Sequence, residues 1–303
     1  LQYWWNKGEK TRTKVLAFTG GYHGDTFGAM SVSDRSVFTL AFREKLFDVI
    51  FINPPGDIDV EKWEAELLKL PWSEIACFIY EPMIQGAGGM NIYPAEGLDM
   101  LLKICHEHNA VCIADEVMTG FGRTGKMFAS EYMQEQPDIV CLSKGLTGGT
   151  LPLGVTACNE KIYEAFYEED KLKTFFHGHS FTANPIACTA ALASLDLLQK
   201  EECYWQTKMI AASHSEFLNG PLNAISKKIK NRRRLGTILA FEIDTGNDGY
   251  LNNISREITM LALQKGVYLR PLGNTVYIMP PYCITQQQLA KLYDVMLEIV
   301  SGF

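Results

Sequence analysis

Two residues with complementary chemistry follow two successive apolar runs of the chain. Asp115 comes directly after the run Ala110–Ala114, and Lys144 comes shortly after the run Ile139–Leu142. In open α/β sheets ligands bind at the carboxyl ends of the strands, so both side chains are expected to face one pocket. A lysine amine can bond an aldehyde, and a carboxylate can keep a pyridine nitrogen protonated. Each residue alone is typical of a surface or a turn, but the pair predicts pyridoxal 5′-phosphate (PLP) chemistry.

A competing motif overlaps this pair. Gly120–Gly125 matches the G-x-G-x-x-G pattern of dinucleotide-binding proteins. Asp115 and Glu116 lie between the strand and these glycines, where their charges would repel a pyrophosphate. The segment also follows a middle strand rather than the first one, so the motif is a weaker hypothesis than PLP binding.

Other polar residues are less specific. Tyr22, in the turn after the first strand, is either a ring that stacks on a ligand or a packed core tyrosine. The pair His106 and His108 falls in a predicted helix, where positions two apart do not share a face. The pair His177 and His179 has no carboxylate nearby in sequence. Neither pair is expected to bind a metal.

Apolar runs alternate with helical stretches over the first two thirds of the chain, which predicts an α/β fold with a mostly parallel sheet flanked by helices. The regular alternation of apolar runs and helical stretches ends near residue 203. This change predicts a large domain over 1–203 and a small C-terminal α+β domain over 204–303. The predicted strands are Val15–Phe18, Val49–Ile52, Ile75–Tyr80, Ala110–Ala114, Ile139–Leu142, Val155–Cys158, Thr237–Ile243, Val267–Arg270 and Thr275–Met279. The predicted helices are Asp59–Leu70, Ala95–Asn109, Lys161–Glu168, Pro185–Lys200, Tyr204–Ser226, Leu251–Lys265 and Thr285–Val300.

The amino-acid composition disfavours two classes of function. The 303 residues carry a net charge of −7, with 47% hydrophobic and 21% charged residues, so a nucleic-acid coat protein and a membrane-surface protein are disfavoured. The basic run Lys227–Arg234 lacks interleaved aromatic residues and is predicted to be a solvated connector. Eight cysteines without C-x-x-C spacing, mostly in apolar runs, indicate a reducing compartment, the cytoplasm. The segment 1–6 resembles the second half of a helix, which predicts a chain that lacks an N-terminal segment.

Five segments together resemble the class III, fold-type I, PLP-dependent aminotransferases. The resemblance covers nearly the whole chain and implies the type I PLP-transferase fold, with the cofactor bound in the larger domain. The segments are Gly20–Asp34, Ile79–Gly89, Cys112–Gly125, Leu142–Gly149 and His177–Pro185.

The resemblance implies a cofactor role for each of four residues. Lys144 would bond the cofactor aldehyde and carry a proton during the reaction. Asp115 would pair with the protonated pyridine nitrogen. Tyr22 and Val117 would lie on opposite faces of the ring, and Tyr22 would also line the substrate site.

Other residues acquire roles at a subunit interface or toward the substrate. Gly178, His179 and Ser180 would reach across a homodimer with shared active sites, and Ser180 would bind the phosphate of the partner's cofactor. Arg270 would bind the substrate carboxylate through two parallel hydrogen bonds, which suits a guanidinium. Tyr277 would close the same pocket.

Within the class, three segments are most similar to the enzymes of biotin synthesis that convert 8-amino-7-oxononanoate into 7,8-diaminononanoate. Ala87 stands where relatives acting on ornithine or aminobutyrate carry a Glu that pairs with the carboxylate-binding Arg. The expected substrates are a small keto acid and an amino donor, either S-adenosylmethionine or lysine. Another class III ω-amino-acid or polyamine aminotransferase and an inactive truncated fragment remain alternatives. The segments are Leu1–Asn6, His177–Leu198 and Leu269–Tyr282.

Overall fold

The computed structural model describes residues 1–56, 59–244, 246 and 254–303. The chain divides into two compact units, each built from segments that are not continuous in sequence. The first unit comprises Leu1–Gly88, Tyr93–Gly120 and Phe128–Leu195, and the second comprises Gly89–Ile92, Phe121–Met127 and Asp196–Phe303.

A six-stranded sheet forms the centre of the first unit. Its strand order is β2-β1-β3-β6-β7-β8, and every neighbouring pair is parallel except β7 and β8, which are antiparallel. The central strands are apolar runs because residues on both of their faces are covered. The strands of this unit are β1 (Lys14–Phe18), β2 (Val49–Ile52), β3 (Ile75–Tyr80), β4 (Ile84–Gln85), β6 (Val111–Asp115), β7 (Ile139–Leu142) and β8 (Val155–Cys158).

In the described part of this unit, side-chain caps fix the starts of three α-helices, and the last of these helices is capped by Asn184. The Asp59 side chain accepts a hydrogen bond from the Lys62 backbone N–H, and Asn159 does the same for Ile162. These bonds satisfy backbone donors that have no partner inside the helix. The helices are α1 (Gln2–Asn6), α2 (Phe27–Val32), α3 (Val60–Leu67), α4 (Ala95–Glu107), α5 (Glu160–Glu164) and α6 (Pro185–Leu198), with 3-10 helices at Leu40–Lys45, Ala129–Tyr132, Lys144–Thr147 and Lys171–Lys173.

An apolar surface lies on β8 and α6 of this unit. All four residues of β8 are exposed. Helix α6 consists mostly of apolar residues, and of these only Ala187 is buried. Ile186 is 71% exposed and Leu192 is 64% exposed. Exposed apolar surface of this kind is typical of protein–protein contacts.

The second unit packs helices against a three-stranded antiparallel sheet of order β11-β10-β9. Its core includes Leu239 and Phe241 of the central strand, both fully buried. Thr285 and Gln288 form a capping box at the start of the last helix. The elements are β5 (Asn91–Ile92), α7 (Glu201–Asn219), α8 (Pro221–Ala224), a 3-10 helix (Ser226–Lys228), β9 (Ile229–Leu235), β10 (Ile238–Ile243), α9 (Ile254–Gln264), β11 (Thr275–Ile278) and α10 (Gln286–Gly302).

Two predicted elements are wrong. Most of the basic run Lys227–Arg234 lies in strand β9 rather than in a connector, because Ile229 is buried while several of its charged residues face solvent. The segment Val267–Arg270 is not a strand, since the Leu269 carbonyl accepts a hydrogen bond from the Thr259 hydroxyl instead of a neighbouring strand. The first residues of the predicted helix Leu251–Lys265, 251–253, lie outside the described part of the chain.

None of the helices in the described part of the chain combines the length and the apolar character that a membrane-spanning helix needs.

Candidate active site

Asp115 and Lys144 lie at the same edge of the sheet in the first unit. Asp115 is the last residue of β6 and pairs with Cys141 of β7, and Lys144 follows β7 as the first residue of a 3-10 helix. Because the two strands are neighbouring and parallel, their carboxyl ends meet at one edge. Lys144 is exposed, and its φ of 45° lies in the left-handed region. Lys144 is therefore accessible at the edge of the sheet where Asp115 lies.

Asp115 is held by two donors. Its Oδ2 lies 2.7 Å from Nδ1 of His23, and its Oδ1 accepts a hydrogen bond of 3.1 Å from the backbone N–H of Val117. The side chains of His23 and Asp115 are 3% and 11% exposed. A carboxylate accepts hydrogen bonds when it is ionised, and His23 Nδ1 is then the donor of this pair.

Tyr22 is fixed from two sides. Its backbone N–H donates to Glu81 Oε1 at 3.1 Å, and its hydroxyl donates to Asp25 Oδ1 at 2.8 Å. Glu81 is buried and also accepts a hydrogen bond from the Gly86 backbone N–H. The backbone of Tyr22 is thus bonded to the buried Glu81, and the backbone of Val117 is bonded to the buried Asp115.

The loop that contains Gly178, His179 and Ser180 is exposed. His179 Nδ1 accepts a hydrogen bond from the Phe181 backbone N–H, and the His179 backbone N–H donates to Thr182. An open cavity of about 650 Å³ is lined by His179 and by Ser143, the residue before Lys144. The structure therefore brings this loop to the same edge region of the first unit as Lys144.

Arg270 and Tyr277 belong to the second unit. Arg270 is exposed and precedes Pro271, and Tyr277 lies on β11 opposite Ala240 of β10. Their predicted roles toward a substrate stay predictions.

The glycine motif at 120–125 does not have the structure of a dinucleotide site. That site needs a helix directly after the glycines, whereas this chain forms turns followed by the 3-10 helix at 129–132. Arg123 donates hydrogen bonds to the Thr237 hydroxyl and the Pro280 carbonyl. Gly236 has a φ of 53°, and a Cβ there would clash with the Thr124 backbone. Residues 121–125 of the motif are therefore anchored within the second unit.

Comparison with known proteins settles the family. Residues 1–300 match the model of the aminotransferase class-III family. The chain belongs to the class III aminotransferases. A relative from Synechococcus elongatus, named adenosylmethionine-8-amino-7-oxononanoate aminotransferase, is 43% identical over 99% of this chain and 72% of its own length. A relative of the same name from Anoxybacillus flavithermus is 37% identical over 99% of this chain and 70% of its own length.

Solved structures confirm the type I PLP-transferase fold of this aminotransferase. The enzyme named adenosylmethionine-8-amino-7-oxononanoate aminotransferase from Methanocaldococcus jannaschii has a TM-score of 0.90 and 35% identity, covering 99% of this chain and 70% of that one. A PLP-bound amine transaminase from an uncultivated Pseudomonas species has a TM-score of 0.88 and 31% identity, covering 99% and 72%. The predicted fold class, aminotransferase activity and PLP cofactor are confirmed.

The residues of the first unit fit PLP. A protonated pyridine nitrogen is a donor, and each Asp115 oxygen keeps a free lone pair after accepting one hydrogen bond. The 11% exposure of the Asp115 side chain leaves room for such a contact. His23 Nε2 is buried, and none of the described residues bonds it. Lys144 is exposed and follows the neighbouring strand, at the same edge of the sheet as Asp115.

Sequence reasoning missed His23 and Glu81 of the aminotransferase. His23 was visible in the turn beside Tyr22, but its pairing with Asp115 spans 92 residues. Glu81 follows β3, and its bond to the Tyr22 backbone spans 59 residues. The available signal was the strand-end rule, because Glu81 directly follows an apolar run as Asp115 does.

Burial raises the pKa of Glu81 to about 7, against the effect of His23 and of the Gly86 and Tyr22 N–H donors. An unfolded Glu has a pKa of about 4.3, so the unfolded chain loses this proton first as the pH rises. The contribution of protonated Glu81 to the free energy of unfolding is therefore lost as the pH rises from about 4.3 to 7. We expect Glu81→Gln to raise the free energy of unfolding by about 2–3 kcal/mol more at pH 8 than at pH 5, relative to the wild-type protein. Urea unfolding at both pH values measures this difference.

Glu61→Gln, on the exposed surface of α3, is the control for this experiment. Its effect on the free energy of unfolding should be the same at both pH values. Equal effects of Glu81→Gln at pH 5 and pH 8 would show that Glu81 is ionised throughout this range.

Proposed function

We propose that this aminotransferase converts 8-amino-7-oxononanoate into 7,8-diaminononanoate in biotin synthesis, with S-adenosylmethionine as the amino donor. The observation that carries the proposal is the set of relatives with this printed name. They include proteins 43% and 37% identical to the chain over 99% of its length. The test is a panel of donors and acceptors with the purified, PLP-loaded protein, in which the pair S-adenosylmethionine and 8-amino-7-oxononanoate should react fastest. Lysine in place of S-adenosylmethionine is the second donor of the panel.

Bound PLP supplies an aldehyde that accepts nitrogen and a ring that withdraws electrons from the substrate carbon. Lys144 would hold the cofactor through Nζ and, once released, take the proton from the carbon that bears the nitrogen. It would later return a proton during the second half of the reaction. His23 would keep Asp115 ionised and oriented through Nδ1–H, and Asp115 would keep the pyridine nitrogen protonated. Tyr22 and Val117 would hold the ring between them.

The dimer contacts and the substrate clamp belong to the same proposal. His179 and Ser180 would contact the cofactor of the partner subunit, with Ser180 on its phosphate, and Gly178 would line the substrate site. Tyr277 would lie beside the substrate carboxylate that Arg270 binds. We place the enzyme in the cytoplasm, where its buried thiols such as Cys77 and Cys105 stay reduced.

Arg270 offers a test of the acceptor. Arg270→Ala should weaken the half-reaction with 8-amino-7-oxononanoate by about 2–4 kcal/mol, because a charge-assisted pair with the carboxylate is lost. The half-reaction with a donor that does not use this Arg should change much less. Single-turnover absorbance changes of the bound cofactor measure the two half-reactions separately.

Arg256→Ala, on helix α9, is the control and should alter neither half-reaction. Equal losses in both half-reactions of Arg270→Ala, or no loss in either, would remove Arg270 from substrate binding. Fast reaction of simple ω-amines would favour the alternative represented by the amine transaminase of the Pseudomonas species. Failure to take up PLP would favour the inactive fragment.

A homodimer with shared active sites completes the proposal. The exposed apolar residues of β8 and α6 support it, because the same unit carries the loop of His179 and the cavity beside Ser143. We expect Ile186→Asp to weaken the dimer at least tenfold and to lower activity with it, since a charge would enter an apolar interface. Light scattering during size-exclusion chromatography over a dilution series measures the dissociation. Leu263→Asp, an exposed leucine of α9, is the control, and full activity of a monomer would contradict shared sites.

A further inference from the structure

Three side chains of different metal-binding types meet at the opposite end of the strands from Asp115 and Lys144. They are His106 in the last turn of α4, Cys112 near the start of β6, and Asp138 directly before β7. Their ligand atoms all lie within 4.8 Å of one another. Cys112 and Asp138 are buried, and His106 is partly exposed. None of the three has a role in transamination as derived above.

A carboxylate already orients the histidine. His106 Nδ1 lies 2.8 Å from Glu135 Oε2, and His106 Nε2 lies 3.8 Å from Asp138 Oδ2. Histidines that bind metals commonly donate their other ring N–H to a carboxylate, which fixes the tautomer and aims the free nitrogen at the ion. Glu135 has this position here, so His106 Nε2 is the nitrogen available for coordination.

Asp138 is held just as firmly. Its Oδ2 accepts a hydrogen bond of 2.9 Å from the Cys112 backbone N–H, and its Oδ1 accepts one of 2.8 Å from Asn159 Nδ2. The backbone bond ties the carboxylate to the strand that carries the thiol. Each carboxylate oxygen still has a lone pair after these contacts.

We propose that His106 Nε2, Cys112 Sγ and Asp138 Oδ2 bind one Zn²⁺ ion, with a water molecule as the fourth ligand. Imidazole, thiolate and carboxylate are the ligand types of protein zinc sites. In a tetrahedral zinc site the ligand atoms lie about 3.5 Å apart, so the three groups need to close by roughly 1 Å. Cys112 releases its thiol proton to solvent on binding. The 30% exposure of the His106 side chain provides the entry path and the place for the water.

The ion would join three elements of the first unit. Helix α4, strand β6 and the segment before β7 each supply one ligand, so bound zinc would stabilise the folded chain over the unfolded chain. The site lies about 10 Å along β6 from Asp115, because Cys112 and Asp115 are three residue positions apart on an extended strand. Zinc is therefore expected to raise the melting temperature without entering the transamination chemistry.

The experiment uses the full chain loaded with PLP and freed of metal with a chelator. Zn²⁺ is titrated in competition with a chromophoric chelator, and Co²⁺ is titrated separately to observe the visible bands of a tetrahedral site. We expect one ion per chain and a higher melting temperature with Zn²⁺. Cys112→Ser and His106→Gln should each weaken Zn²⁺ binding at least about 100-fold, and Glu135→Gln about 10- to 100-fold.

Cys77→Ser is the matched control, because Cys77 is also a buried cysteine on a central strand of the same sheet. It should leave the Zn²⁺ affinity and the cobalt bands unchanged. Circular dichroism of each variant establishes that it is folded, and His106→Gln, on a partly exposed residue, tests the proposal if Cys112→Ser does not fold. Unchanged binding in His106→Gln, or no stoichiometric ion in the wild-type protein, would mean that the cluster is only hydrogen-bonded.

Discussion

Lys144→Ala is expected to abolish multiple-turnover transamination while the protein stays folded. Without Nζ the protein has no covalent hold on the cofactor aldehyde and no base at the carbon that loses its proton. General acid–base catalysis alone contributes about 10²- to 10⁴-fold, and loss of covalent attachment adds to this. The measurement is steady-state turnover together with the absorbance spectrum of the bound cofactor. The spectrum should lose the band that depends on the lysine.

Lys161→Ala is the control, because Lys161 is an exposed lysine of α5 in the same unit. It should retain the wild-type rate and spectrum. A small primary amine added to Lys144→Ala should restore part of the activity if the missing function is that of a base. Multiple turnovers without any added amine would exclude Lys144 as the catalytic lysine.

Asp115→Asn is expected to lower the rate on the order of a thousandfold. The amide keeps the shape of the side chain and can still accept the hydrogen bond from His23 Nδ1, but it loses the charge that holds the pyridine nitrogen protonated. Loss of several kcal/mol of electrostatic stabilisation in the transition state corresponds to a rate change of this size. Single-turnover rates with a saturating donor measure the chemical step directly.

Asp294→Asn, on the exposed surface of α10, is the control and should leave the rate unchanged. A loss below about tenfold in Asp115→Asn would assign Asp115 to the turn alone. PLP affinity should be measured alongside the rate, so that weaker cofactor binding is separated from slower chemistry.

The sequence predicted the strands of the main sheet well because buried parallel strands are apolar runs. The bounds of β3 and β7 agree with the runs Ile75–Tyr80 and Ile139–Leu142. The direction of β8 was not predictable, since an apolar run is the same whether its neighbour is parallel or antiparallel. Strand β9 was not predicted because most of its residues are basic, and Ile229 is its one buried residue.

The candidate site was predictable where one residue follows one strand, and not where residues meet through topology. Asp115 and Lys144 each follow an apolar run, so the strand-end rule found both. His23 meets Asp115 only because β1, β3 and β6 are neighbours in the sheet, although these strands are not consecutive along the chain. The cluster of His106, Cys112 and Asp138 also depends on topology. Its residues lie at the end of a helix and at the starts of two strands, and no spacing in the sequence indicates that these three places meet.

In the proposed mechanism, the left-handed backbone of Lys144 sets folding against catalysis at a single position. A residue with a Cβ at a φ of 45° costs the folded state roughly 1 kcal/mol or more relative to glycine. Selection for thermal resistance alone would therefore replace this lysine with glycine. Any screen of variants that scores only survival on heating would enrich inactive proteins at this position, so stabilised versions of the enzyme have to be selected with turnover as a second criterion.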